Sequence, residues 1–396
     1  MKDEVTPVHL PALHALLFSW WREKGRVLPW RGKTRSQVSG VPPSSRSAGK
    51  LQLDCQSGFH SSDFGGQGRC QETVIEGGVR EHVFASYFAN ELHRDPYRVV
   101  VSEVMLQQTQ VDRVLTKYEH WTARWPKIED LAKATLAQVI QEWQGLGYNR
   151  RARFLWLLSK EIVEKRDGKW PETEKELLTL PGIGQYTARA ILSFAFGEQV
   201  GVVDTNVKRV LNRIFNDQFS NFQTSLTRVD ADLQQVSHFT IADYLKIADE
   251  VLPEGQADPW NQAIMDFGAM VCTAKTPECE SCPVATLCVA NKNAKEHGFM
   301  SFRERFVNVL NKESRGKITK QSPKDLGLKF EQTDRFLRGR VVDLLRGKKL
   351  IREELIDILN TKFTQFNSPR ICTVINQLIK EQMISESDGK LQLGDE

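Results

Sequence analysis

The sequence predicts an all-α body followed by a small helix-and-hairpin unit at the carboxyl end. Three observations carry that prediction. Apolar residues recur at helical spacing, as in Leu10, Leu13, Leu16, Leu17 and Trp20 of the stretch His9 to Arg22. Strand-like runs are few from Asp95 onward, where one helical segment follows another. Glycine turns punctuate those segments, at Gly145-Leu146-Gly147-Tyr148 and at Pro181-Gly182-Ile183-Gly184.

A chain of 396 residues has room for two or three domains and a substantial core. Its net charge is only +4, so any basic surface has to be local. No apolar run is long enough to cross a membrane, and the amino terminus lacks an apolar signal core. A soluble intracellular protein, cytoplasmic and not membrane-bound, is the expectation. Four of the seven cysteines fall between Cys272 and Cys288, which in a reducing compartment points to metal rather than disulfides.

In chain order, the amino-terminal helix ends at Leu28-Pro29-Trp30-Arg31, where a Pro-Trp pair reads as a packing corner. From Gly32 to about Arg94 periodicity is lost, apart from a short helical pattern over His82 to Leu92. Gly, Ser, Gln and Pro dominate there, which reads as a mobile insertion. Cys55, His60 and Cys70 lack paired spacing and make a weak zinc site.

Order resumes at Asp95-Pro96-Tyr97. In the following run Ser102 and Glu103 are polar among apolar neighbours. Such a carboxylate lies on a solvated helix side, the plainer reading, or sits in an apolar setting that raises its pKa and makes it a proton donor. Gln107, Gln108 and Gln110 are either surface amides or groups that reach base edges and fill a gap in a stack. Tyr148 stands beside Arg150, Arg151 and Arg153, a pattern suited to stacking plus phosphate contact and equally to a charged helix face.

Leu180 to Arg213 is the stretch around which the rest is organised. The turn at Gly182 and Gly184 opens a helix, where free N–H groups attract an anion. Asp204 precedes the next helix, and on pattern alone it is an N-cap. Farther on, Cys272, Cys279, Cys282 and Cys288 are spaced C-x6-C-x2-C-x5-C, which suits one tetrahedral zinc or one cubane iron–sulfur cluster. Beyond a polar linker, Arg335–Arg346, Leu350–Asn360 and Ser368–Gln382 read as three short helices. A hairpin over Ser385–Leu393 follows, turning at Asp388-Gly389. Three helices and a hairpin look like a winged helix, with Arg338, Arg340, Arg346, Lys348 and Lys349 available to phosphates or the domain available to a protein.

The segments SEVMLQQTQV, GLGY, LPGIGQYTA, VVDTNVKRVL, NQAIMDFGAMVC and the cysteine loop resemble, in the same order, the adenine-specific mismatch DNA glycosylases (MutY-like) of the helix-hairpin-helix endonuclease III superfamily. The likeness runs over Leu28–Arg31 and Asp95 to about Val289. It implies a two-lobed helix-hairpin-helix DNA glycosylase fold with an iron–sulfur loop. The implied division is an iron–sulfur lobe of residues 1–31 and 216–290, an insertion 32–94, a six-helix lobe 95–215, a linker 291–330 and a winged-helix-like domain 331–396. That last unit resembles a winged helix rather than the Nudix-like domain usual in bacterial relatives.

By the same resemblance, Glu103 protonates the adenine ring and then assists water, while Asp204 faces the sugar cation. Tyr186 and Asn206 orient Asp204 and the sugar. Gln108 fills the vacated stack and Tyr148 wedges beside the opposing base. Leu28, Trp30, Arg31 and Asp266 fall at adenine-pocket positions. Amides around Gly182 and Gly184 hold a phosphate, with a monovalent cation at the hairpin. Cys272, Cys279, Cys282 and Cys288 hold a [4Fe–4S] cluster. Bifunctional relatives carry lysine where this chain has Tyr186, so a monofunctional enzyme is implied. Asp204-Thr205-Asn206 stands where the family usually has Asp-Gly-Asn, and Asn149 where it has a second tyrosine.

The implied function is a monomeric repair glycosylase that removes adenine mispaired with guanine or 8-oxoguanine in double-stranded, nucleoid-associated DNA. A thymine or uracil mismatch glycosylase of the same superfamily is the nearest alternative. A non-catalytic iron–sulfur DNA-binding regulator is the more distant one, and it needs neither Glu103 nor Asp204.

Overall fold

The first helix of the computed structural model, Leu10–Lys24, lays its apolar face against a distant one, Ala257–Met270. The structure describes residues 8–31, 94–215, 240–292 and 329–394. The insertion, its candidate ligands Cys55, His60 and Cys70, the helix over His82 to Leu92, and most of the 291–330 linker lie outside the described residues.

Two apolar cores organise the chain. The smaller one gathers Leu13, Leu17, Val207, Val210, Tyr244, Trp260 and Phe267 from the helices Leu10–Lys24, Thr205–Phe215, Ile241–Glu250 and Ala257–Met270. Thr205–Phe215 has period-3.6 apolar positions that face Ala257–Met270. Close approach of those two helices depends on Gly268, where a Cβ would lie 2.9 Å from the Cβ of Asn206.

The larger core is built by the helices Pro96–Leu106, Val111–Arg124, Ile128–Lys133, Leu136–Glu142, Arg150–Lys165 and Gln185–Ala195. Asp95 caps the first through the Tyr97 amide at 2.9 Å, and Pro96 occupies the position where a missing N–H is harmless. Thr135 and Gln138 form a capping box that divides Ile128–Lys133 from Leu136–Glu142. Pro96–Leu106 packs directly on Gln185–Ala195, and this contact brings Glu103 to Tyr186.

The carboxyl-terminal unit contains the helices Asp334–Leu344, Arg352–Lys362 and Ser368–Lys380 and three antiparallel strands. Strands β1 (Leu350–Ile351), β2 (Ile384–Ser387) and β3 (Lys390–Leu393) lie in the order β1-β3-β2, with Leu350 opposite Leu391. Asp388 and Gly389 both have positive φ, as a two-residue hairpin turn requires. The sequence pattern began the middle helix at Leu350. Instead Leu350 and Ile351 pair with β3, because Leu391 offers an apolar partner 41 residues on. This winged-helix-like unit shares the larger core with the six helices, and β3 packs on Leu136–Glu142. Arg346 fastens the contact by donating to the carbonyls of Ile140 and Gln141.

Candidate active site

Glu103 is only 8% exposed, on the last turns of Pro96–Leu106. The solvated-face reading therefore fails: neighbouring helices cover the side that periodicity left free. Its Oε2 accepts the phenol proton of Tyr186 at 2.7 Å. Burial raises the Glu103 pKa, and the charge of Asp204 adds to that rise. The Tyr186 hydrogen bond and the guanidinium groups of Arg31 and Arg94 act the other way, but burial prevails. A buried carboxyl with a raised pKa is equipped to hold a proton near neutrality.

Asp204 both caps and presents a carboxylate. Its Oδ1 accepts from the amide of Val207 at 2.7 Å, which starts the helix Thr205–Phe215. Its Oδ2 accepts from Asn206 Nδ2 at 3.0 Å. The cap role that the sequence favoured thus coexists with a half-buried charge that Glu103 and Tyr186 both sense. The charge of Asp204 reaches both Glu103 and Tyr186, so the three groups share one electrostatic neighbourhood. Burial, together with both acids, pushes the Tyr186 phenol well above its usual range, which keeps it a donor.

Asn206 is itself held. Arg209 Nη2 donates to Asn206 Oδ1 at 2.8 Å, which turns the amide nitrogen toward Asp204. Arg209 also donates to the carbonyls of Gly268 at 2.7 Å and Cys272 at 2.8 Å. Motif reading missed Arg209, although its i+3 spacing from Asn206 places both on one helix face. It missed Arg94 as well, which pairs with Asp258 and lies over the Phe194 ring at 5.2 Å. Arg94 stands at the edge of the aperiodic segment and carried no pattern signal.

Leu28 and Trp30 are each 6% exposed within the larger core, and Trp30 packs edge-on against Tyr118 at 5.4 Å. Asp266 is fully buried and grips Arg31 bidentately at 2.7 and 2.9 Å. It also accepts from Arg26 and from Trp21 Nε1. Burial pushes the Asp266 pKa up, but the Arg31 hydrogen bond and the charges of Arg31 and Arg26 overcome this and hold it below the usual carboxylate range. Asp266 therefore fixes the position of the Arg31 guanidinium.

Gln108 and Tyr148 share a strained backbone: φ is 56° at Gln108 and 49° at Tyr148, both non-glycine residues in the left-handed region. One side chain ties their loops together. Arg151 is buried and donates to the carbonyls of Val104, Met105, Gln107, Leu146 and Gly147, and to Thr109 Oγ1. Sequence reading grouped Arg151 with Arg150 and Arg153 as an outward cluster. The structure turns it inward, beneath the Tyr148 ring at 5.5 Å.

The hairpin glycines differ in their demands. Gly182 has φ +77° and a Cβ there would lie 2.6 Å from Phe154 Cβ, so both conformation and space require glycine. Gly184 caps Gln185–Ala195 in open surroundings, leaving the first amides of that helix accessible.

Cys272, Cys279, Cys282 and Cys288 are half-buried free thiols on one loop. Burial, reinforced by the neighbouring sulfurs, pushes Cys282 up to about 11 and Cys288 up to about 12. Four cysteine sulfurs on one short loop can supply the four corners of a cubane cluster. Arg213 Nη1, 3.3 Å from Cys272 Sγ, supplies positive charge beside thiolates. The donor set fits an iron–sulfur cluster.

The family model for HhH-GPD superfamily base excision DNA repair proteins matches residues 101–225. The model for the iron-sulfur binding domain of endonuclease III matches residues 272–288, the stretch that contains the four cysteines, and supports a [4Fe–4S] cluster. An adenine DNA glycosylase of Mycobacterium tuberculosis is 34% identical over 253 residues, 64% of this chain and 71% of that protein. The chain belongs to the adenine DNA glycosylase family. A rat member of the family is 42% identical over 300 residues, 74% of this chain and 45% of that protein. The chain thus spans less than half the length of its rat relative. Among solved structures, a thermostable thymine-DNA glycosylase matches at 21% identity with a TM-score of 0.49, covering 72% of this chain and 97% of that one. Among the described residues no helix is long and apolar enough to cross a membrane.

Proposed function

We propose that this adenine DNA glycosylase family member hydrolyses the N-glycosidic bond of adenine mispaired with guanine or 8-oxoguanine in double-stranded DNA, as a monofunctional monomer in the cytoplasm at the nucleoid. The observation that carries the reading is the pair Glu103 and Asp204. Burial raises the pKa of Glu103, while Asp204, half-buried with two hydrogen-bond donors, stands in its field. Two acids in contrasting settings divide the work of an acid and a counter-charge.

Glu103 gives its proton to a ring nitrogen of the extruded adenine. The bond from C1′ to the base breaks, its electron pair leaves with the neutral base, and the sugar becomes an oxocarbenium ion. The carboxylate of Asp204, oriented by Asn206, faces that ion. Glu103, now ionised, takes a proton from the attacking water as oxygen bonds to C1′, and so is restored. Tyr186, expected from the resemblance to orient Asp204 and the sugar, donates its hydroxyl to Glu103 and has no amine with which to form a Schiff base. Leu28, Trp30 and Arg31, the last set by Asp266, border the base pocket. Gln108 fills the emptied stack and Tyr148 enters beside the opposing base. Amides around Gly182 and Gly184 take a phosphate, with a monovalent cation at the hairpin. When bound, the [4Fe–4S] cluster supplies thiolate bonds that staple the loop Cys272–Cys288.

Single-turnover assays on duplexes carrying A·8-oxoG, A·G, T·G and U·G test the reading. Adenine release without strand scission, lost in Glu103→Gln and Asp204→Asn while duplex binding persists, is the expected result. Release of thymine or uracil alone would transfer the chain to the rival chemistry. Binding without release from any duplex would leave a regulator. A borohydride-trapped adduct would contradict the monofunctional assignment.

A further inference from the structure

The winged-helix-like domain reaches the proposed wedge. Arg335, on the first turn of Asp334–Leu344, donates from Nη1 to the Tyr148 hydroxyl at 2.8 Å, and its guanidinium lies over the Tyr148 ring at 4.9 Å. Tyr148 is 39% exposed, so this pair is on the surface. The other arginines expected to meet phosphate are engaged elsewhere. Arg338 pairs with Glu381 at 2.5 Å, Arg340 with Asp343 at 2.6 Å, and Arg346 with Asp343 and the carbonyls of the six-helix lobe. Among the described ion pairs Arg335 has no carboxylate partner, nor has the exposed Arg150 two residues from the wedge. An exposed guanidinium with one donor committed to a phenol keeps its remaining N–H groups for an anion.

We propose that Arg335 makes the carboxyl-terminal domain part of the DNA interface, clasping a backbone phosphate at the step that Tyr148 enters and steadying that ring from the outer side. The partner is duplex DNA, recognised through its phosphates. This rests on the reading of Tyr148 as a wedge. Domain and wedge stay in register because Gln382 accepts from Arg153 at 2.6 Å and β3 packs on Leu136–Glu142. Arg338, Arg340 and Arg346 serve internal ion pairs and docking instead.

The test compares the full chain with Arg335→Ala and Arg335→Lys, measuring affinity for an A·G duplex and a fully paired duplex from 50 to 200 mM potassium chloride. Loss of one phosphate contact lowers the slope of log affinity against log salt by about 0.9, so Arg335→Ala should lose about 3.5-fold less affinity than the parent across that range, on both duplexes. Arg335→Lys should keep the parental slope. A 2-aminopurine placed next to the mispair should brighten less with Arg335→Ala. An unchanged slope in Arg335→Ala would overturn the proposal, and so would the same loss in Arg335→Lys, since that marks a docking contact rather than a charge. Because the slope on the fully paired duplex is read without excision, failure of adenine release in the parent would sink the functional reading and leave this result standing.

Discussion

Tyr186 and Glu103 stand 83 residues apart in the chain and are joined by a hydrogen bond of 2.7 Å. The phenol donates to the carboxylate and so favours its ionised form, against the stronger influence of burial. Excision should therefore be fastest while Glu103 holds its proton and should slow as pH rises through its raised pKa. In Tyr186→Phe the opposing hydrogen bond is gone, so the falling limb of the single-turnover rate should move to higher pH. A limb that stayed in place or moved down would contradict this role.

Glu103→Gln should slow excision about 10²- to 10⁴-fold, the usual share of a general acid. Its effect on stability has the opposite sign at high pH. A carboxyl whose folded pKa lies above its unfolded value contributes stability that is complete below the ordinary glutamate range and is lost as pH rises through the folded value. Melting curves should show Glu103→Gln gaining on the parent as pH rises above the ordinary glutamate range towards the raised folded value.

Asp266→Asn removes the negative charge, and one of the two acceptor oxygens, that pairs two guanidinium groups in a closed site. Breaking a buried pair by one partner costs about 3–5 kcal/mol. The melting temperature should fall by several degrees at pH 7. Because the Asp266 pKa is held low, its stabilisation is present above the ordinary aspartate range and is lost as pH falls through the folded value. The deficit of the variant should therefore shrink in acid.

Arg151→Lys should loosen two loops at once. An ammonium has three donors and cannot satisfy six acceptors, and each buried carbonyl left bare costs about 1–3 kcal/mol. Amide hydrogen exchange should rise together in Gln107–Thr109 and Gly145–Tyr148. Faster exchange in one loop alone would refute the link.

Gly268→Ala sets a helix gain of about 1 kcal/mol against overpacking of about 1–3 kcal/mol. The new methyl group presses on Asn206, which aims the amide at Asp204. Excision should drop more than thermal stability, with duplex affinity nearly unchanged, as single-turnover and binding measurements would report.

Local chemistry made much of this molecule legible in its sequence. Glycine turns, the cysteine spacing and the Asp388-Gly389 hairpin are short-range signals, and each lies where its pattern placed it. Glu103 was ambiguous because a helix pattern says which side is apolar, not which neighbours cover the remainder. Arg151 deceived for a related reason: three arginines in four residues read as surface, yet a helix points them in different directions. Strand β1 is two residues long and is defined by a partner far along the chain. The Arg335–Tyr148 contact spans 187 residues between the six helices and the carboxyl-terminal unit, beyond the range of any local pattern.

A single inward guanidinium closes both loops that carry Gln108 and Tyr148. Those two fingers are consequently one tool. In the proposed DNA complex both would enter the stack together or withdraw together, so that inspection of a base pair would be an all-or-none stroke whose stiffness is set at Arg151 rather than at either fingertip.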